Sequence, residues 1–221
     1  MRFGNGAWRM LDDVKPVWPG RVDAVESGDT ELTLHVSDRL EEARWATLEG
    51  HMFTVELTSP LEGVFRIRLS HYKGRLKKGP HFSIRETALP LSIKEQDGSI
   101  EVVSGKLCLC ITRKPWSITF LDADTGLAIT ESPFKALGLM DKAGKGIFLR
   151  EQLVLKPGEE IYGLGERFSA FTKLGQSIDM WNADCGTCSD KGYKDVPFFL
   201  SNRGWGVLVN DPGAVSFEMG T

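Results

Sequence analysis

Phe53-Thr54-Val55-Glu56-Leu57-Thr58 alternates apolar and polar side chains without a break. Successive side chains of a strand point to opposite faces, so this run predicts a half-buried strand with Phe53, Val55 and Leu57 turned inward. The same pattern appears on either side of it. Leu32, Leu34 and Val36 alternate with Glu31, Thr33 and His35, and Phe65, Ile67 and Leu69 alternate with Arg66, Arg68 and Ser70. Further along, Leu107, Leu109 and Ile111 alternate with Cys108, Cys110 and Thr112, and Trp116, Ile118 and Phe120 with Ser117 and Thr119. The inward residues Phe53, Val55, Leu57, Phe65, Ile67, Leu69, Ile118 and Phe120 are expected in the core.

Turn signals separate these runs: Ser27-Gly28-Asp29, Asp97-Gly98, Asp124-Thr125-Gly126, Lys156-Pro157-Gly158 and Asn210-Asp211-Pro212-Gly213. Gly supplies positive φ, Pro fixes φ, and Asn and Asp tolerate the left-handed region. Strands and turns at this spacing predict an all-β chain, a two-sheet antiparallel β-sandwich with less than a fifth of its residues helical. Gly144-Lys145-Gly146 reads either as a flexible point or as a hairpin tip. Val207-Leu208-Val209 and Val215-Ser216-Phe217-Glu218 read as consecutive strands close to Thr221. A domain ordinarily covers its last sheet edge. Residues 1–221 are therefore expected to be one β-sandwich domain of a larger protein, truncated before its last strands.

The 221 residues are 41% hydrophobic and 26% charged, enough apolar material for a core of this size. A net charge of -3, from 27 basic and 30 acidic side chains, argues against a nucleic-acid partner. No apolar run approaches the ~18 residues of a membrane span, so no membrane partner is expected. Met1-Arg2-Phe3-Gly4-Asn5-Gly6 lacks the apolar core of a signal peptide, and four cysteines are too few for a disulfide-stapled scaffold. A cytoplasmic location is expected.

The chemistry-bearing residues fall short of known sites. Cys108-x-Cys110 lies within an alternating strand, and Cys185-x-x-Cys188 lies in a polar loop with no helix to follow, so neither zinc nor redox chemistry is expected. His35, His51, His71 and His81 are scattered, with no i,i+4 pair. Asp122-x-Asp124 fails as a calcium loop, because its twelfth position is Pro133 where a bidentate Glu belongs. Gly163-x-Gly165 fails as a dinucleotide fingerprint, because Phe168 replaces the third glycine. No metal and no cofactor is expected.

A denser block runs from Ile161 to Phe217. It contains Tyr162 to Phe168 (YGLGERF), Trp181 to Asp184 (WNAD), Tyr193-Lys194-Asp195-Val196 followed by Pro197-Phe198-Phe199, and Asn202 to Asn210 (NRGWGVLVN). Loops mixing Trp, Tyr, Asn, Asp and Arg suit sugar contact, and equally suit a well-packed turn region. As an ordered set these strings resemble the N-terminal domain of glycoside hydrolase family 31, most nearly its bacterial α-xylosidases. Ser59 to Val64 and Gly79 to Phe82 resemble the corresponding early strands, so the likeness runs over almost the whole chain.

The resemblance implies a galactose-mutarotase-like β-sandwich preceding a catalytic (β/α)₈ barrel in the same parent chain. It implies a retaining α-xylosidase or α-glucosidase acting on oligosaccharides, with both catalytic carboxylates in the barrel. No residue here is then catalytic, and this chain alone is expected to be inactive. The family places an Asn-Arg-Asp segment at the substrate pocket, and the matching positions are Asn182, Ala183 and Asp184. Ala183 replaces the Arg. Trp181, Asn182 and Asp184 are the expected substrate-binding residues, with Asp184 accepting hydrogen bonds from sugar hydroxyls or else capping a turn. Without the barrel, Gly175 to Asp195 is expected to be a long, loosely packed loop, whereas Glu159 and Glu160 are expected to be solvated and Glu166 structural. Two other uses stay open: a carbohydrate-binding or mutarotase-like module, and an assembly domain building a homo-oligomer.

Overall fold

The computed structural model describes residues 1–4, 9–40, 50–71, 87–183 and 191–221. The chain divides into two compact units, Lys15–Val154 and Met1–Val14 with Leu155–Thr221. Among the described residues there is no helix, and so none long and apolar enough to cross a membrane. The strands pair antiparallel throughout the registered ladders.

The larger unit carries β1 (Val14–Val17), β2 (Arg21–Ser27), β3 (Glu31–Ser37), β4 (Met52–Leu61), β5 (Val64–Ser70) and β6 (Ser92–Glu95). It continues with β7 (Ser99–Ser104), β8 (Leu107–Thr112), β9 (Ser117–Asp122), β10 (Ala128–Ser132), β11 (Gly138–Lys142) and β12 (Gly146–Arg150). One sheet has the order β2-β3-β4-β5, a second β10-β9-β8-β7-β6, and a third β1-β11-β12. A single apolar cluster joins the first two face to face. Leu32, Leu34 and Val36 of β3 and Phe53, Val55 and Leu57 of β4 meet Ile100, Val102, Leu109, Ile111 and Ile118 of the opposite sheet, with Trp116 beside them. Full burial of one such side chain is worth about 1.5–3 kcal/mol. Phe65, Leu69 and Phe120 are only partly buried against this cluster, and Ile67 is 37% exposed. Among the described residues β5 pairs with β4 alone, at the edge of its sheet, so its inward face is covered less than that of β3 or β4.

Two of the connections are hairpin turns, one read as a turn from the sequence and one left open there. Lys145 N–H donates to the Lys142 carbonyl at 2.9 Å, closing the β11–β12 hairpin at Gly144-Lys145-Gly146. Asp122 Oδ1 accepts from Asp124 N–H, Thr125 N–H and the Thr125 hydroxyl, which closes the β9–β10 hairpin. The Thr125 hydroxyl, then its N–H, hold the Asp122 carboxyl below the usual range.

The smaller unit carries β13 (Ile161–Gly163), β14 (Gln176–Met180), β15 (Phe198–Ser201), β16 (Gly206–Leu208) and β17 (Val215–Met219). β15 lies between β13 and β16, and β14 pairs with β17. The expected loop from Gly175 therefore begins instead as a strand. Gln176-Ser177-Ile178-Asp179-Met180 buries Ile178 and Met180, and its polar residues face outward. Phe199 of β15 packs edge-on against Trp205 and Phe217, at 5.8 and 6.1 Å between ring centres, tying the two small sheets together.

Candidate functional site

Tyr162 to Phe168 leaves the sheet abruptly. Tyr162 still pairs with Leu200, but Gly163, Leu164 and Gly165 then take φ of 111°, 67° and 82° in succession. This path brings two backbones into close contact. Leu164 N–H donates to the Phe198 carbonyl at 2.9 Å, and Glu166 N–H to the Lys194 carbonyl at 3.0 Å. A Cβ on Gly165 would lie 2.1 Å from the Lys194 oxygen, and one on Gly192 would lie 2.1 Å from the Glu166 oxygen. Gly165→Ala is expected to cost about 3 kcal/mol, from the left-handed backbone plus an overlap with main chain that cannot rotate aside. Gly158→Ala is the control. It shares a positive φ but has open space around it, so about 1 kcal/mol is expected. Chemical denaturation of the two variants measures the difference.

Beyond this bend the Arg167 side chain turns inward. It is 2% exposed and pairs with Asp195, itself 6% exposed, at 2.6 Å. The same guanidinium donates to the Asp179 carbonyl at 3.1 Å and to Met180 Sδ at 3.5 Å. Asn182 Oδ1 accepts the Asp195 N–H at 2.7 Å, and Ala183 N–H donates to the Gly192 carbonyl at 3.2 Å. Of the expected sugar-contacting residues, Trp181 presents a ring 69% exposed at the end of β14. Asn182 commits its carbonyl to the backbone. Asp184 lies outside the described residues, as do Cys185, Cys188, His81 and the rest of 184–190.

An open groove of about 510 Å³ adjoins the bend, its walls including Arg167, Phe168, Phe171, Lys173, Gly192 and Tyr193. Phe168, Phe171 and Tyr193 are exposed, and the Tyr162 ring meets that of Phe171 at 5.1 Å, tilted by 43°. Lys173 is buried and donates to Ser169 Oγ at 3.1 Å and to the Ala170 carbonyl at 2.8 Å. Burial, then the Arg167 charge, lower its pKa. The groove offers ring faces, whereas its cations Arg167 and Lys173 are buried and already bonded within the protein. Phe171 and Lys173 carried no sequence signal, because they gain meaning only through the fold of 162–168.

Three acids differ in their surroundings. Glu159 is buried, against the expectation of solvation. Its carboxylate accepts from the Ser201 hydroxyl, from Trp205 Nε1 at 2.7 Å and from Lys156 N–H at 2.8 Å. Glu160 is half-buried, not free in water, and accepts the Thr172 hydroxyl. Glu166 has an exposed side chain 3.6 Å from Lys194, and its backbone forms the bridge described above.

The remaining candidates lie in the larger unit. Cys108 and Cys110 are free thiols on β8, and burial, then Glu101, push both thiols above the usual range. His51 Nδ1 lies 3.1 Å from Asp38, and the rings of His51 and His71, scattered in sequence, approach to 5.2 Å. Among the described residues no three His, Cys, Asp or Glu side chains gather as a metal site.

These strings and this β-fold have counterparts. Residues 54–218 match the glycosyl hydrolase 31 N-terminal galactose mutarotase-like domain, and the chain belongs to that family. It is 33% identical over 239 residues to an alpha-xylosidase of Emericella nidulans, covering 99% of this chain and 30% of that protein. It is 34% identical over 224 residues to the alpha-xylosidase XylQ of Lactiplantibacillus pentosus, covering 100% of this chain and 29% of that protein. The chain thus spans under a third of the length of these curated relatives. The fold also matches the GH31 dextranase of Flavobacterium johnsoniae at a TM-score of 0.70 and 20% identity, over 92% of this chain and 24% of that one.

Proposed function

We propose that residues 1–221 are the N-terminal β-domain of a retaining α-glycosidase that releases α-linked xylose, or else glucose, from oligosaccharides. The observation that carries this reading is the match of the whole chain to two alpha-xylosidases at 33–34% identity. In this reading a catalytic (β/α)₈ barrel of the same longer chain supplies the nucleophile and the general acid. Retention requires those two carboxyl groups ~5–5.5 Å apart across the bound sugar. The domain's part is to present Trp181, Asn182 and Asp184 to the pocket. The exposed Trp181 ring supports that role, since an aromatic face stacks on sugar C–H groups while neighbouring polar groups take hydroxyls.

The test is hydrolysis of aryl α-xylosides and α-glucosides by the longer protein, with the product anomer followed by NMR. Retained configuration and a preference for xylosides are expected. Inversion, or no hydrolysis of either, defeats the reading. Asp184→Ala in the same protein is expected to lower kcat/KM roughly 2- to 150-fold, the loss of one hydrogen bond to a hydroxyl. An unchanged kcat/KM leaves Asp184 with the turn-capping role alone.

A further inference from the structure

We propose that Arg167 and Asp195 form a positioning pair, which holds residues 181–183 against 192–195 and so sets sugar affinity without touching the sugar. The proposal rests on the function just given and names how its sugar-contacting segment is held. One guanidinium reaches both limbs. It bonds the Asp179 carbonyl and Met180 Sδ immediately before Trp181, and it pairs with Asp195 where the chain returns. Asn182 Oδ1 then accepts the Asp195 N–H, and Ala183 N–H donates to the Gly192 carbonyl. Trp181 and Asn182 are thus held by the bonds of one buried cation and its partner.

The burial of the pair bears on this role. Taking two charges out of water consumes much of what their attraction returns, and well-packed apolar residues often serve stability equally well. An ion pair with several directed bonds instead fixes where its neighbours point. The two glycines at 165 and 192 let the backbones approach closely enough for the pair to form. A sugar-contacting group that drifts by about 1 Å loses much of its value.

The test uses the longer protein with Arg167→Met, Arg167→Lys and the isosteric Asp195→Asn. Arg167→Met is expected to raise KM about tenfold with kcat within about twofold, because ground-state and transition-state binding weaken together. Arg167→Lys is expected to restore part of the affinity, since an ammonium reaches Asp195 but cannot also keep the Asp179 carbonyl and Met180 Sδ. Hydrogen exchange should quicken at 181–183 and 191–195 and stay unchanged in β3, β4 and β8. Unchanged KM, a fall in kcat alone, or exchange raised equally everywhere overturns the proposal. Where Arg167→Met does not fold, Asp195→Asn is read by the same criteria. If the longer protein hydrolyses no α-xyloside or α-glucoside, the proposed function fails, and with it the link to affinity. Exchange then decides separately whether the pair holds 181–183 against 192–195: localised quickening supports it, and a uniform rise overturns it.

Discussion

Purified alone, the 221-residue chain is expected to leave aryl α-xylosides and α-glucosides at the buffer rate, a loss of at least ~10⁶-fold against a working enzyme. Part of the reason lies in how Glu159, Asp195, Glu160 and Glu166 are engaged. A retaining site needs one carboxylate free to attack and another held protonated, both facing the same sugar. Glu159 spends its oxygens on Ser201, Trp205 and Lys156. Asp195 is buried against Arg167, Glu160 holds the Thr172 hydroxyl, and Glu166 stands exposed beside Lys194. None of the four is a free carboxylate in an enclosed site. The measurement is release of nitrophenol by repurified chain, beside the longer protein at equal concentration. Turnover that survives repurification and disappears on changing one acid would place the chemistry in this chain and defeat the assignment of both carboxylates to a barrel.

The sandwich was legible because period-two alternation reports a face directly. Leu32, Leu34, Val36, Phe53, Val55 and Leu57 are all fully buried, as their spacing predicted. Alternation does not report what lies opposite a face or beside a strand. Ile67 obeys the pattern on edge strand β5 and remains over a third exposed. At β14 the signal was present but short. Ser177-Ile178-Asp179-Met180 alternates as well as β3 does, but sits between glycine and a loop-like string, and its partner Val215–Met219 is distant in sequence. The site was less legible for the same reason. YGLGERF and WNAD mark where it lies, whereas the contacts that shape it are long-range. Arg167 meets Asp195 across 28 residues, and Glu159 meets Trp205 across 46. The Pro157-Gly158 turn suggested solvent around Glu159. The return of β15 and the turn after it bring Ser201 and Trp205, the side-chain donors that justify burying a carboxylate.

Replacing that carboxylate is expected to have the largest effect on stability. Glu159→Ala removes an acceptor shared by a hydroxyl, an indole N–H and a main-chain N–H, leaving buried donors unpaired. Each such loss costs about 1–3 kcal/mol and the losses overlap, so about 4 kcal/mol is expected. Glu159→Gln keeps the shape and one carbonyl acceptor but adds donors facing donors, and about 2 kcal/mol is expected. The two variants also differ from the parent in pH dependence. Burial pushes the Glu159 carboxyl up, but the Lys156 N–H, Ser201, Trp205 and the Arg203 charge outweigh it and hold the carboxyl below its ordinary value of 4.5. A carboxyl lowered on folding adds stability that is present above its unfolded pKa and is lost as pH falls through the folded one. The parent should therefore lose Tm on acidification below about pH 4.5 more steeply than Glu159→Gln, which has no charge at 159 to lose. Asp122, held low by Thr125 in the larger unit, titrates alike in both proteins and cancels in the comparison. Thermal unfolding of parent and Glu159→Gln from pH 7 to pH 3 gives the answer. Parallel Tm curves would mean that the carboxylate at 159 gains nothing from its three donors.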